Sequence, residues 1–224
     1  STVELLKLLV GAAALALTIV SAKTPQGNQS SLPSQRSGIR SATLTLGLVG
    51  LLGYWNWGAF HYPGFIHRHE MFHYFIGAKH APELRYTRIY DCILQAWREQ
   101  QPDQVHLESL RVQDLASNKL VFASTLEDRI LSCPSHCSPE RWQIFKRDVL
   151  AMREISGEAI WNDSLIDFGF NPPPVWNIIP GAITRDLELN SNSLLLVALI
   201  DPALILVGFS FVAWAFGLEI ACFA

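Results

Sequence analysis

Charge is scarce in this chain. Asp, Glu, Lys and Arg make up 17% of its 224 residues, where a soluble domain carries about 25%. The shortage is local. Residues 8–22, 41–60 and 193–218 contain no Lys, Arg, His or Glu and a single Asp, Asp201. The span 61–192 holds 13 of the 17 Lys and Arg and 17 of the 20 Asp and Glu. A basic excess is also missing, since the net charge is −3, so the electrostatic footprint of a nucleic-acid binder is absent. No internal repeat and no glycine-rich phosphate loop occurs, and cysteine is limited to four residues. With half of its residues hydrophobic, the chain is neither disordered nor an ordinary cytosolic globule. The pattern is that of a membrane protein with one water-facing domain of a size that can bury its own core.

A helix needs about 20 mostly apolar residues to cross a bilayer, and three segments meet that length. Residues 5–22 are rich in Leu, Ala and Val, with Lys7 near the start, where a long amine snorkels. The same stretch, ending in Val20-Ser21-Ala22, also has the form of a signal peptide. Residues 41–60 are uncharged and end in Tyr54, Trp55, Trp57 and Phe60, ring types that settle in the headgroup layer. Residues 194–216 contain Asp201-Pro202. The fold class expected is mainly α, with about three transmembrane helices and a mostly helical extracytoplasmic domain containing a short β-hairpin. The organisation read from the chain is a span over 1–22, a basic cytoplasmic linker over 23–40 and a span over 41–60. A membrane-surface domain over 61–192 and a span over 193–224 complete it. The apolar run 217–224 reads as the turn into a further span of a longer chain.

Short basic loops stay in the cytoplasm. The linker's Lys23, Arg36 and Arg40, with no acid among them, therefore place the N-terminus and the 61–192 domain outside. The expected location is a bacterial inner membrane with the main domain in the periplasm. There Cys133-Pro-Ser-His-Cys137 would close a small disulfide loop and leave Cys92 unpaired; free buried thiols are the alternative.

Within the domain, Met71, Phe72, Phe75 and Ile76 share one side of a helix over 66–80. A second helix runs from Pro82 to Gln100 with a stripe of Leu84, Ile89, Tyr90, Ile93, Leu94 and Trp97. Residues 109–124 read as a hairpin. Ser138-Pro139 starts a third helix as cap and first residue, and a short helix comes next near 158–168. Asn171-Pro-Pro-Pro-Val-Trp176 reads as rigid and extended.

The sharpest string is His69-Glu70-Met71-Phe72-His73. Residues four apart share a helix face, so both imidazoles reach one Zn²⁺ or another divalent metal, with Glu70 as the base toward metal-bound water. His80 lies eleven residues from His69, about three turns, which brings His69, His73 and His80 within roughly 40° on the helix. The short motif also recurs by chance, and histidines beside an aromatic stripe are at home on a membrane surface. Asp201 is an ionisable group inside a span, which is functional by default unless it caps a helix near the membrane edge. Tyr74, Arg85, Arg88, Tyr90 and Asp91 form a polar and aromatic group suited to a sugar or a lipid phosphate. They equally suit an amphipathic helix docked on a membrane.

Glu70-Met-Phe-His-Tyr-Phe-Ile-Gly-Ala-Lys79 after a span, then Leu84-Arg-Tyr-Thr-Arg-Ile-Tyr90-Asp91, resembles the first extracytoplasmic loop of GT-C superfamily glycosyltransferases. Gly169-Phe-Asn-Pro-Pro-Pro-Val-Trp176 is similar to that loop's return to the membrane. The resemblance covers roughly residues 41–216 and is loose. It implies a polyprenyl-phosphate-sugar-dependent transferase in which Glu70 is the base toward an acceptor hydroxyl, sometimes with a divalent metal. Three function classes stay open: a relative or fragment of such a transferase, a zinc-dependent membrane hydrolase, and a non-catalytic accessory subunit of a larger membrane complex. The partners expected are membrane lipids, a polyprenyl-phosphate sugar or the other subunits of a complex, and no nucleic acid.

Overall fold

The computed structural model describes residues 2–23, 33–54, 66–169 and 174–222. It is mainly helical, 79% helix and 4% strand, and falls into two compact units. One is Ser1–Ile66 with Val197–Ala224; the other is His67–Leu196.

In the first unit, α1 (Thr2–Lys23) packs along α2 (Pro33–Tyr54). Residues 33–40, expected to belong to the linker, form the first turns of α2, since Pro33 at a helix start lacks only an N–H that would be unpaired there. Further along the chain, α9 (Ser191–Ala198) runs into α10 (Ile200–Phe216). Gly217, at φ +93°, turns the chain into the short α11 (Leu218–Ala221). This last helix returns against α2, where Cys222 stands so close to Gly47 that a Cβ there would meet its Sγ at 2.6 Å. Among the described residues one helix, Ser191–Phe216, is long and apolar enough to cross a membrane. The other two apolar runs expected to span are shorter, Leu5–Leu17 and Ser37–Gly53. Trp55, Trp57 and Phe60 of the expected aromatic edge lie outside the described residues, as do Asn171, Pro172 and Pro173.

The second unit is built around one long helical run. It begins with α3 (Arg68–Met71), widens into a π-helical segment (Phe72–Gly77) and continues as α4 (Ala78–Gln100). From Ile89 to Trp97 every residue of α4 is buried, the mark of a helix surrounded on all sides. Pro82 is accommodated inside the run, and the break comes three residues later, where Arg85 adopts φ 55° and ψ 172°. Phe72 meets Trp161 edge-on with ring centres 5.4 Å apart, and Trp97 meets Trp161 likewise at 5.8 Å. Together with Phe75, Phe145, Val149 and Met152 these rings make the core.

A two-stranded antiparallel sheet pairs β1 (Arg111–Asp114) with β2 (Lys119–Phe122), Val112 opposite Val121. Asp114 organises the turn, accepting from Ala116 N at 3.0 Å and Ser117 Oγ at 2.6 Å. After α5 (Glu127–Ser132), the chain enters α6 (Pro139–Ser156), whose Ser138 cap accepts from Arg141 N. Gly157, at φ +77°, links α6 to α7 (Glu158–Leu165). Pro174 to Trp176, expected to be extended, open α8 (Pro174–Thr184) instead, because proline's fixed φ suits a first helical turn. Gly181 lets α8 lie directly on α4: Ala78 O is 3.0 Å from the place a Cβ would take.

Cysteine pairing differs from the expected loop. Cys92, buried in the middle of α4, is bonded to Cys133, and Cys137 is free. Burial of Cys92 on the α4 face turned toward Cys133 decides the pairing, which proximity in sequence does not capture.

Candidate metal centre

His69 lies in α3 and His73 sits in the π-helical segment one turn on, their ring centres 5.1 Å apart. His73 is buried. Its Nδ1 donates to His69 O at 3.0 Å, which leaves Nε2 as the acceptor, and Tyr90 Oη donates to that nitrogen at 2.7 Å. Burial, with the neighbouring His69 adding to it, pushes the His73 pKa down to about 4, so the ring is neutral at pH 7. Burial likewise raises the pKa of Tyr90, keeping its proton available for the bond to His73.

The third member is Asp167, in the loop after α7. One of its oxygens accepts from Phe168 N at 2.8 Å, and the other lies 3.8 Å from His69 Nε2. The loop is held by Tyr86 Oη, which donates to Phe168 O at 3.0 Å, and by Gly169 at φ +88°, packed against Leu115 and Tyr86. One ligand atom each from His69, His73 and Asp167 lies within 4.8 Å of the others. Tetrahedral zinc with ligand bonds near 2.1 Å sets its ligand atoms roughly 3.4 Å apart. Side-chain rotations closing the set by up to about 1.4 Å would therefore seat an ion. The donor set is two imidazoles and one carboxylate, and the backbone bond to Nδ1 already fixes the tautomer of one imidazole, a usual service of groups behind a metal ligand.

His80 does not join this group. An i→i+5 turn carries one extra residue, which rotates everything after it by about 100° relative to an unbroken α-helix. The π-helical segment runs through His73 and ends at Gly77, before His80, so the eleven-residue spacing from His69 no longer returns to the same face. His80 Nε2 instead lies 2.8 Å from Asp148 Oδ2 in the interior, and Lys79 Nζ reaches the same oxygen at 2.9 Å. Burial lowers the His80 pKa, with Asp148 opposing the shift.

Glu70 is exposed and sits 3.2 Å from His67 Nδ1. Tyr74 is half-buried, and burial raises its pKa. Arg85 occupies the break in α4 and is exposed, and Arg88 bonds the ring of His136. Asp91 lies 2.6 Å from Arg129 Nη2, and burial raises its pKa to about 6 against the pull of that guanidinium. Of this polar group Tyr90 bonds His73, Tyr74 lies in the π-helical segment, and Arg85, Arg88 and Asp91 are spread along α4. Asp201 is exposed in the first turn of α10, next to buried Pro202.

Asp167 was missed in the sequence because it enters from a loop 94 residues beyond His73, with no motif around it. The chain matches no protein-family model, no curated protein and no solved structure.

Proposed function

We propose that this is an integral membrane protein whose His67–Leu196 unit binds one divalent transition metal ion, zinc by its donor set, and uses it to hydrolyse a substrate outside the cytoplasm. The convergence of His69, His73 and Asp167 carries the reading. Held by His69, His73 and Asp167, such an ion would keep a coordination position open for water and would supply the lowered water pKa, toward about 7, that divalent metal sites provide. Glu70 comes directly after His69, is exposed, and serves as the base that takes the water's proton. Three crossings, by the apolar parts of α1 and α2 and by Ser191–Phe216, anchor the unit. The Cys92–Cys133 bond supports an oxidising side for it, such as a periplasm facing a bacterial inner membrane.

A second reading draws on the exposure of Glu70, 54% of its side chain. An acceptor hydroxyl reaches it as easily as water does, which agrees with the glycosyl-transfer role implied by the GT-C resemblance. A polyprenyl-phosphate sugar is then the donor.

The experiment uses the full chain in detergent, stripped with chelator and titrated with Zn²⁺. One equivalent binds; His73→Ala and Asp167→Asn each weaken binding by more than about 100-fold, beyond the 10–100-fold loss typical of groups behind the ligands. Glu70→Gln keeps the metal and loses turnover. Wild-type affinity in both ligand variants, or no binding at all, overturns the metal centre. Glu70→Gln then separates the two reactions: hydrolysis of ester, amide or phosphate probes is lost in the first reading, sugar transfer from a lipid donor in the second.

A further inference from the structure

Helix α8 has two unlike faces. At about 100° per residue, Ile178, Ala182, Ile179 and Ile183 lie on one arc of roughly 140°, and Pro180, Gly181 and Thr184 on the other. The second arc is covered: Pro180 and Thr184 are buried, Gly181 rests on Ala78, and Thr184 Oγ1 donates to Pro180 O at 2.7 Å. The first is bare, with Ile178 71% and Ile179 57% exposed. The helix carries no Asp, Glu, Lys, Arg or His. Three isoleucines on an uncharged face oppose the rule that a water-facing helix side is polar.

The chain beyond α8 indicates what covers this face. Only residues 185–190 separate Thr184 from Ser191, where the membrane-length helix begins, so the two ends lie within roughly 25 Å along the chain. The foot of that helix belongs to the same compact unit, with Ser193 and Leu194 buried in it. The connector is pinned as well: Lys79 Nζ donates to Leu187 O, and Lys79 is itself held by Asp148. Arg185, Asp186 and Glu188 of the connector point to solvent, a charged collar of the kind found at headgroup level. An uncharged isoleucine face is thus fixed close to the point where the chain enters the hydrocarbon.

We propose that the Ile178–Ile179–Ile183 face of α8 lies in the headgroup–acyl boundary of the bilayer, a second membrane attachment for the metal-bearing unit beside the Ser191–Phe216 helix. It rests on the reading of that helix as a membrane crossing. Interfacial helices bury their apolar face about 5–10 Å into this boundary. Because α8 also packs against the π-helical segment that carries His73, the attachment holds the site at the lipid surface, where amphiphilic substrates are found.

The test uses the full chain in phosphatidylcholine–phosphatidylglycerol nanodiscs, with Cys137→Ser and Cys222→Ser removing the free thiols and the disulfide kept. A small fluorophore is attached at Ile179→Cys, or at Val207→Cys in the crossing helix as a control. Lipids carrying a shallow nitroxide quench residue 179 at least about twofold, and aqueous iodide leaves it unchanged. Iodide quenching at 179 with lipid quenching at 207 places α8 in water and overturns the proposal alone. Quenching at 179 by neither agent, with 207 still lipid-quenched, means a second protein chain covers the face and also overturns it. If 207 too escapes the lipid nitroxide, the membrane crossing itself fails and the proposal falls with it.

Discussion

At His73, Tyr90 and the proposed metal ion would compete for one lone pair. The Nδ1 bond to His69 O directs the Nε2 pair outward, and Tyr90 Oη occupies it at 2.7 Å. An ion that takes Nε2 must first displace that hydroxyl. Tyr90→Phe removes the competitor and leaves the buried nitrogen unsatisfied in the metal-free protein. The metal-free form should lose about 1–3 kcal/mol of stability, the desolvation penalty of an orphaned acceptor. Zinc binding should tighten by roughly fivefold, the net worth of one neutral hydrogen bond. Thermal melting without metal and a zinc titration check the two signs, and weaker zinc binding in Tyr90→Phe would make Tyr90 a supporter of the ion instead. The His69–His73 half of this centre was legible, because spacing by four on a helix is a local property. Asp167 was not, since tertiary folding alone brings a loop carboxylate to those rings. His80 was misplaced for an equally physical reason: helical arithmetic assumes an unbroken α-helix, and nothing in Phe72-His-Tyr-Phe-Ile-Gly77 announces the wider turn.

The loop bearing Asp167 is an element whose shape can be altered without touching a ligand. Gly169 takes φ +88°, and a Cβ there would meet Leu115 Cδ2 at 2.6 Å and Tyr86 Oη at 2.7 Å. Gly169→Ala should therefore push the loop away from α4 and disturb the Tyr86–Phe168 bond that sets Asp167. The expectation is a loss of about 1–3 kcal/mol in stability from overpacking, and zinc binding weakened about tenfold with both histidines intact. Gly157→Ala is the control. Its φ is also positive, +77°, but open space surrounds its Cβ position, so it should show about 1–3 kcal/mol of backbone strain and unchanged zinc affinity. Equal zinc affinity in the two variants would detach the loop from the site. Elements of this kind divide by how local their signals are. The Ser138-Pro139 start of α6 and the hairpin of β1 and β2 arise from capping and turn chemistry within a few residues. The break in α4 falls at Arg85, a side chain that avoids positive φ, so the sequence pointed to Pro82 instead. The start of α8 at Pro174 was hidden because a proline run fits both an extended segment and a helix's first turn.

For the whole His67–Leu196 unit, the Cys92–Cys133 bond is the one covalent tie across its layers, joining the centre of α4 to the turn after α5. It spans 41 residues of sequence, and closing a loop of that length restricts the unfolded chain by about 4 kcal/mol. Domains of this size are stable by only about 5–15 kcal/mol, so the bond is a large part of what keeps the unit folded. Cys92 is also enclosed by the core that α4 anchors, so a reductant reaches the bond only when the unit opens. Reduction should therefore proceed slowly on the folded protein and lower its melting temperature by roughly 10–15 °C once complete, taking about 3 °C per kcal/mol for this size. Cys92→Ala with Cys133→Ala should reproduce the shift, while Cys137→Ser leaves melting unchanged. Peptide mapping of the unreduced protein decides the pairing directly: a Cys133–Cys137 linkage, or melting insensitive to reductant, would remove both the tie and the argument for an oxidising compartment. If the tie holds, a reducing compartment would leave the His67–Leu196 unit about 4 kcal/mol less stable, which is the physical support for the oxidising location proposed above.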